Sequence, residues 1–223
     1  MSNSTILKSS IARKVAMALS GLFLILFLAQ HCFINTTSLF RPDTFNMISH
    51  FMGNNPLVQY IIQPVLIVGV VFHFCMGFIL DYKNRASRPI GYTKYNGGAN
   101  ASWMSRNMII TGSVVLAFLG LHFYDFWFPE MMYKYVDVNP LVEDRYYEEL
   151  VHKFASLPRT IIYCISFGLL ALHLWHGFNS SFQSVGFNNK YSKALKTFAY
   201  SFSVIIPLLF VVIALVHHFS HLQ

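Results

Sequence analysis

The chain has 223 residues, 55% of them hydrophobic and only 11% charged, against about 25% charged residues in an ordinary soluble domain, which argues against a water-soluble globule. Sixteen Lys and Arg against nine Asp and Glu give a net charge of +7, but too little polar surface remains for a nucleic-acid-binding role, so charge is read by position. The cysteines Cys32, Cys75 and Cys164 each fall in an apolar run without a C-x-x-C-H or a C-x-x-C pair, which argues against a disulfide scaffold, a zinc module and covalently attached haem.

A helix needs about 20 mostly apolar residues to cross the hydrocarbon, because every backbone polar group must be satisfied within the segment. Five stretches qualify in chain order: 15–34, 57–80, 108–128, 160–178 and 198–216. They predict one all-α membrane domain over 1–223, a bundle of five transmembrane helices. The first stretch follows Lys8, Arg13 and Lys14, as a signal peptide would, but it is long and no small-residue cleavage site follows, so it is read as a retained span. Pro64 and Pro207 lie inside the second and fifth spans and mark kinks. A cytoplasmic N-terminus leaves eleven of the sixteen basic residues inside and five outside, which obeys the positive-inside rule and puts the C-terminus outside.

Ionisable residues within a span are costly, so a histidine there is a functional candidate. Four of the five spans carry one: His31, His73, His122, and His173 with His176. At about 1.5 Å per residue, His31 and His122 lie roughly 26 and 21 Å from the inner edge, while His73 and His173 lie roughly 24 and 20 Å from the outer edge. The four therefore sort into an outer pair, His31 with His122, and an inner pair, His73 with His173. Neutral imidazoles facing one another across a bundle are what bis-histidine ligation of a b-type haem requires. Two such haems stacked across a membrane make an electron path. The competing reading is that each histidine only bonds a neighbouring helix. Gly21, Gly69, Gly77, Gly112, Gly120 and Gly177 fit either a close porphyrin edge or close helix packing.

The run Ser10, Ile11, Ala12, Arg13, Lys14, followed by Met17 to Gly21 and by Gln30, His31 and Asn35, resembles the first helix of a known family. Thr111 and Gly112 ahead of His122, and His173 with Gly177 four residues on, resemble its third and fourth helices. The family is the five-helix, two-haem cytochrome b anchor of succinate:menaquinone oxidoreductases and quinol:fumarate reductases, the complex II group, and the resemblance covers almost the whole chain.

That resemblance implies two haems b, on His31 and His122 distal to the cytoplasm and on His73 and His173 proximal to it, with His176 as the alternative to His173. It implies menaquinone as substrate, a flavoprotein subunit with FAD, and an iron-sulfur subunit docked on the cytoplasmic face. The dicarboxylate chemistry then belongs to a partner, and the location is a bacterial inner membrane. Arg13, Ser20, Arg85, Arg106 and His176 are the expected propionate contacts, with segment 83–94 meeting the partner or serving only topology. Gln59, Tyr60 and Gln63 are the expected quinone contacts, His217, His218 and His221 are expected at the interface, and a dimer of complexes is compatible. One departure concerns protons: some members carry a glutamate two residues before the fourth ligand, where this chain has Ala171, and no acidic residue is expected in the interior of a span, Asp125 being near an outer end. The alternatives are a cytochrome b of another quinone-linked dehydrogenase, a haem-free structural anchor, and a non-redox transporter.

Overall fold

The computed structural model describes residues 9–87, 103–187 and 189–220, and these are almost wholly helical, with no strand among them. Helix α1 is Ser10–Thr37, α2 Pro42–Asn54, α3 Val58–Ala86, α4 Met108–Val136, α5 Arg145–Ala155, α6 Leu157–Ser184 and α7 Ser192–Ser220. Helices α1, α3, α4, α6 and α7 are long and apolar enough to cross a membrane. Each matches one predicted span and extends it at both ends or, in α3 and α4, mainly at the C-terminal one.

Local chemistry sets the ends. The Ser9 hydroxyl accepts a hydrogen bond from the Ile11 amide at 3.3 Å to open α1, and Asn55 Oδ1 accepts from the Leu57 amide at 2.9 Å ahead of α3; both satisfy donors that have no carbonyl one turn back. The irregularity expected at Pro64 takes the form of a π-helical turn, Val58–Ile62, just before it, where a wider turn accommodates a residue without an amide proton. Pro207 lies buried inside α7. Two further π-helical turns, Phe123–Trp127 and Met132–Val136, carry α4 well past the predicted end at 128. The stretch from 129 to 158, between the third and fourth predicted spans, is therefore largely helical, formed by the end of α4 and by α5. At the α5–α6 joint the Thr160 hydroxyl bonds the carbonyls of Phe154 and Ser156 at 2.9 and 3.1 Å.

The two short helices α2 and α5 pack together at one end of the bundle, α2 also against α1 and α5 against α7. This capped end is the one that the charge pattern assigns to the outside. Beneath it Phe45, Leu150, Phe154, Tyr163, Phe167, Phe210 and Ile213 form the main core. Helix α1 packs against α3, α6 and α7, and α4 packs against α6 and, less extensively, α3. So α1, α3, α4 and α6 wall an interior space and α7 buttresses α1 and α6 from behind. Water cannot drive apolar faces together inside a bilayer, so shape and interhelical hydrogen bonds hold such a bundle. His217 and His218 belong to that set. Both were expected at the interface but are buried: His217 Nε2 lies 2.9 Å from Ser38 Oγ, and His218 Nδ1 donates to the Phe154 carbonyl at 2.8 Å. His221 lies outside the described residues.

Candidate functional site

The walls of the interior space enclose a cavity of about 1000 Å³. His31, His73, His122 and His173, one from each wall helix, all line it. His31 on α1 faces His122 on α4 with ring centres 5.7 Å apart, and His73 on α3 faces His173 on α6 at 6.5 Å. These are the pairs that depth along the helices predicts. On α1, His31 lies ten residues beyond Gly21, which abuts the His73 ring; on α4, His122 lies ten residues beyond Gly112, which abuts the His173 ring. Ten residues of helix rise about 15 Å, so both walls give the same separation between the pairs.

The inner pair is held by one local device used twice. Ser20 Oγ lies 3.0 Å from His73 Nδ1, and Thr111 Oγ1 lies 3.4 Å from His173 Nδ1. Each hydroxyl also donates its single proton to a carbonyl three residues back, that of Met17 at 2.8 Å and that of Met108 at 3.1 Å. With the proton committed there, the oxygen accepts from the imidazole, which makes Nδ1 the protonated nitrogen and leaves the Nε2 lone pair free. The glycine after each hydroxyl lies close to the same ring: a Cβ at Gly21 would meet His73 Cε1 at 3.3 Å, a tight contact, and one at Gly112 would meet His173 Cε1 at 3.4 Å.

The outer pair sits among aromatic rings. His31 stacks on Phe27 at 5.4 Å and lies 5.8 Å from Phe210, while His122 lies between Phe118 at 5.9 Å and Phe126 at 5.2 Å. Asn35 donates to the His31 carbonyl at 2.8 Å, and its amide nitrogen is 3.5 Å from both ring nitrogens. His122 Nδ1 is buried with no hydrogen-bond partner.

Several expected residues occupy other roles. Ser20 holds an imidazole. Arg85 is exposed and paired with Asp81 at 2.7 Å, away from the cavity wall, because Asp81 four residues earlier offers it a partner on the same face. Arg13, Arg106 and His176 are half-buried and are not part of the cavity lining; it is His173 that meets His73. Arg88 and Lys94 of the basic segment lie outside the described residues. Gln63 lines the cavity, but Gln59 is occupied by the Gly53 carbonyl and by the Tyr135 hydroxyl at 3.0 Å, and Tyr60 points outward at 69% exposure. Of the other glycines, Gly69 faces Phe23, Gly77 faces Met17, Gly177 faces Met108 and Gly120 faces open space.

Two polar groups escaped the sequence reading. At the open end Lys14, Ser180, Ser181 and Ser184 line the cavity. At the capped end Glu130 pairs with Lys134 at 2.5 Å and with Arg145, accepts from the Tyr146 hydroxyl at 2.6 Å, and reaches Glu149 through Arg145 at 2.6 Å. The Lys134 ammonium also donates to the Gly53 carbonyl at 2.6 Å. The spacings Glu130 to Lys134 and Arg145 to Glu149 are those of helical ion pairs, a signal that the sequence carries. The expectation of no acidic residue in a span interior is also corrected: Asp125 is 1% exposed, accepts from the Tyr163 hydroxyl at 2.9 Å and lies 3.2 Å from Arg159 Nε.

Compared with known proteins, the chain matches no family model, no curated protein and no solved structure. The chemistry is therefore argued from the site. Two imidazoles are too few to hold a bare ion, for which three or four protein ligands are usual, so each pair suits a metal that brings its own equatorial donors. Ring centres about 6 Å apart, as in both pairs, would leave room for one metal bonded to each imidazole at about 2 Å. A free Nε2 on each inner histidine and the flat aromatic surroundings fit a haem.

Proposed function

We propose that the chain is a two-haem membrane cytochrome b, the anchor and electron-transfer subunit of a succinate:quinone oxidoreductase. The observation that carries the haem reading is the double pairing: four helices each contribute one cavity-lining histidine, and the four meet as two pairs at about 6 Å. The succinate assignment rests on the resemblance of the helix motifs described above. A b-type haem supplies reversible one-electron iron chemistry at each pair.

The chain's own residues then do the following. His73 and His173 offer Nε2 on opposite faces of the inner site, fixed in tautomer by Ser20 and Thr111; such outer hydrogen bonds orient a ligand and raise its basicity. His31 and His122 do the same at the outer site. Lys14 with Ser181 and Ser184 is positioned to hold acidic groups at the open end, a role that replaces the one expected of Arg85. At the capped end Gln63, Glu130, Lys134 and Tyr146 converge on an otherwise apolar cavity, and a few polar groups at an apolar pocket suit a flat molecule with opposed oxygens. A quinone head fits that description.

A pyridine haemochrome assay and a dithionite-reduced spectrum on the purified protein test the reading, with His31→Ala, His73→Ala, His122→Ala and His173→Ala alongside. Two protohaems per chain, with one lost in each variant, is the expected result. A folded wild-type preparation without haem would overturn it in favour of a transporter. Succinate-driven reduction of the haems in native membranes tests the partner assignment, and hydrogen- or formate-driven reduction in its place would reassign the chain to another dehydrogenase.

A further inference from the structure

Among the described residues, the buried polar atoms that lack a partner include His122 Nδ1 and Asp125 Oδ1. They belong to residues three apart on α4, which share a helix face. Side chains on a helix lean toward its N-terminus, which carries the Asp125 carboxylate back over the turn that bears His122. Asp125 also lies inside the π-helical turn Phe123–Trp127 that begins directly after His122, and such turns recur at functional sites. Its other oxygen is occupied, by the Tyr163 hydroxyl at 2.9 Å and Arg159 Nε at 3.2 Å. The Tyr163 ring packs against Phe118, Phe126 and Phe154 at 5.1, 6.4 and 5.3 Å and against His122 at 6.4 Å, so an apolar wall surrounds both atoms. Leaving a buried donor and a buried acceptor unmade costs about 1–3 kcal/mol for each. Under the haem reading one would be the proton-bearing nitrogen of an imidazole that offers Nε2 to the metal; the other is a carboxylate oxygen.

We propose that Asp125 Oδ1 accepts the hydrogen bond of His122 Nδ1–H, directly or through one buried water, and so acts as the positioning residue of the outer site. This rests on the haem reading. A carboxylate bonded to a ligating imidazole fixes its ring and raises its basicity, which favours the ferric state. Arg159, with 30% of its side chain exposed, offsets much of the charge of Asp125, so the effect travels through the hydrogen bond. The inner histidines have only neutral hydroxyls in this role, which makes the outer site chemically distinct.

The test is a redox titration of the purified holoprotein, followed optically and by EPR of the ferric low-spin haems, for wild type, Asp125→Asn, Tyr163→Phe and Arg159→Gln. In Asp125→Asn both haems are expected to stay bound, the reduction equilibrium of the outer one shifting at least tenfold toward ferrous, about 59 mV for one electron. The outer EPR signal should move and the inner one should not. Tyr163→Phe keeps the carboxylate and frees its second oxygen, so it moves the outer signal the opposite way and covers the case in which Asp125→Asn fails to fold. Arg159→Gln takes a cation from the same oxygen and should move the outer signal in the same direction as Tyr163→Phe, with the inner signal in place. Two bound haems with an outer signal indifferent to Asp125, or an Arg159→Gln signal displaced in the same direction as that of Asp125→Asn, overturns the proposal alone. A wild-type preparation without haem removes the haem reading together with it.

Discussion

The same small arrangement, a hydroxyl residue followed by glycine, supports an imidazole from the facing helix at Ser20–Gly21 and again at Thr111–Gly112. The two halves of the device have separate consequences. Removing the hydroxyl in Ser20→Ala or Thr111→Val leaves the ring in place without its Nδ1 partner, and a lost outer partner weakens a metal site by about 10- to 100-fold. Under the haem reading proposed above, haem extraction against a competing apo-globin should show the inner haem leaving faster and the outer one unchanged, and the glycine variants are read in the same terms. Gly112→Val places a branched carbon where His173 Cε1 would be 3.4 Å away, so loss of the inner haem is expected. Gly120→Ala, whose new carbon meets nothing within 4 Å, should retain both haems and gain up to about 1 kcal/mol of helix propensity. Equal haem loss in both glycine variants would contradict this account. The partner of each histidine was legible in the sequence because a helix rises by a fixed amount per residue, so position along the chain gives depth. What supports each ring was not, since that depends on the rotation of helices about their axes. Ser20 is the example: the resemblance suggested a propionate contact, and its face makes it an imidazole partner.

At the scale of elements, the polar knot around Glu130 fastens three pieces together: the end of α4, the C-terminus of α2 through the Gly53 carbonyl, and the amphipathic α5 through Arg145 and Tyr146. Removing one partner from a buried ion pair costs about 3–5 kcal/mol because the other charge is left behind. Glu130→Gln is therefore expected to loosen α5, read as faster amide exchange over Arg145–Ala155 with the bundle helices unaffected; unchanged exchange there would show that apolar packing of Leu150 and Phe154 suffices. The pH dependence of this joint has a definite sign. Burial, then the hydrogen bond and charge of Glu130, push the Tyr146 phenol above its ordinary value of 10.0. Burial works against the charge on Arg145, but bonding and attraction from Glu130 and Glu149 outweigh it and hold the guanidinium protonated. A phenol raised in the folded state contributes stability that is complete below pH 10 and is lost as pH climbs past it. The contribution of Tyr146 is thus constant below pH 9, and a tyrosinate absorbance titration of wild type against Tyr146→Phe should show the missing group ionising above 10. The five spans were legible because composition alone marks them, whereas α4 runs on to Val136 through a stretch with Asp125, Glu130 and Lys134 that hydropathy reads as loop. Glu130 and Lys134 pair locally, but Arg145 beside Glu130 and Arg159 beside Asp125 come from distant positions, and pairing across the fold is invisible to a window sliding along the chain.

Taken whole, the molecule is asymmetric in how firmly its walls are held. Helix α6 buries seven of its residues and α7 eight, but α3 buries none between Gln63 and Ala86. Its firmest polar tie within the bundle is the His73 contact with Ser20. Under the reading proposed above, whatever His73 and His173 grip together bridges α3 to α6, and α3 has little else to hold it on that side. The loosely held wall bears on the life of the chain before it is finished. Under the haem reading, a newly made polypeptide supplied with no haem has α3 tied to α1 but not bridged to α6, and membrane quality control recognises spans that pack incompletely. In a host blocked in haem synthesis, pulse-chase labelling should find the protein degraded several-fold faster than in a replete one, with the first cuts at the ends of α3; equal half-lives would mean that the wall stands unaided. On this view cofactor loading is also the inspection step of assembly, and the weakness of one helix is what allows an empty subunit to be removed before it joins a complex.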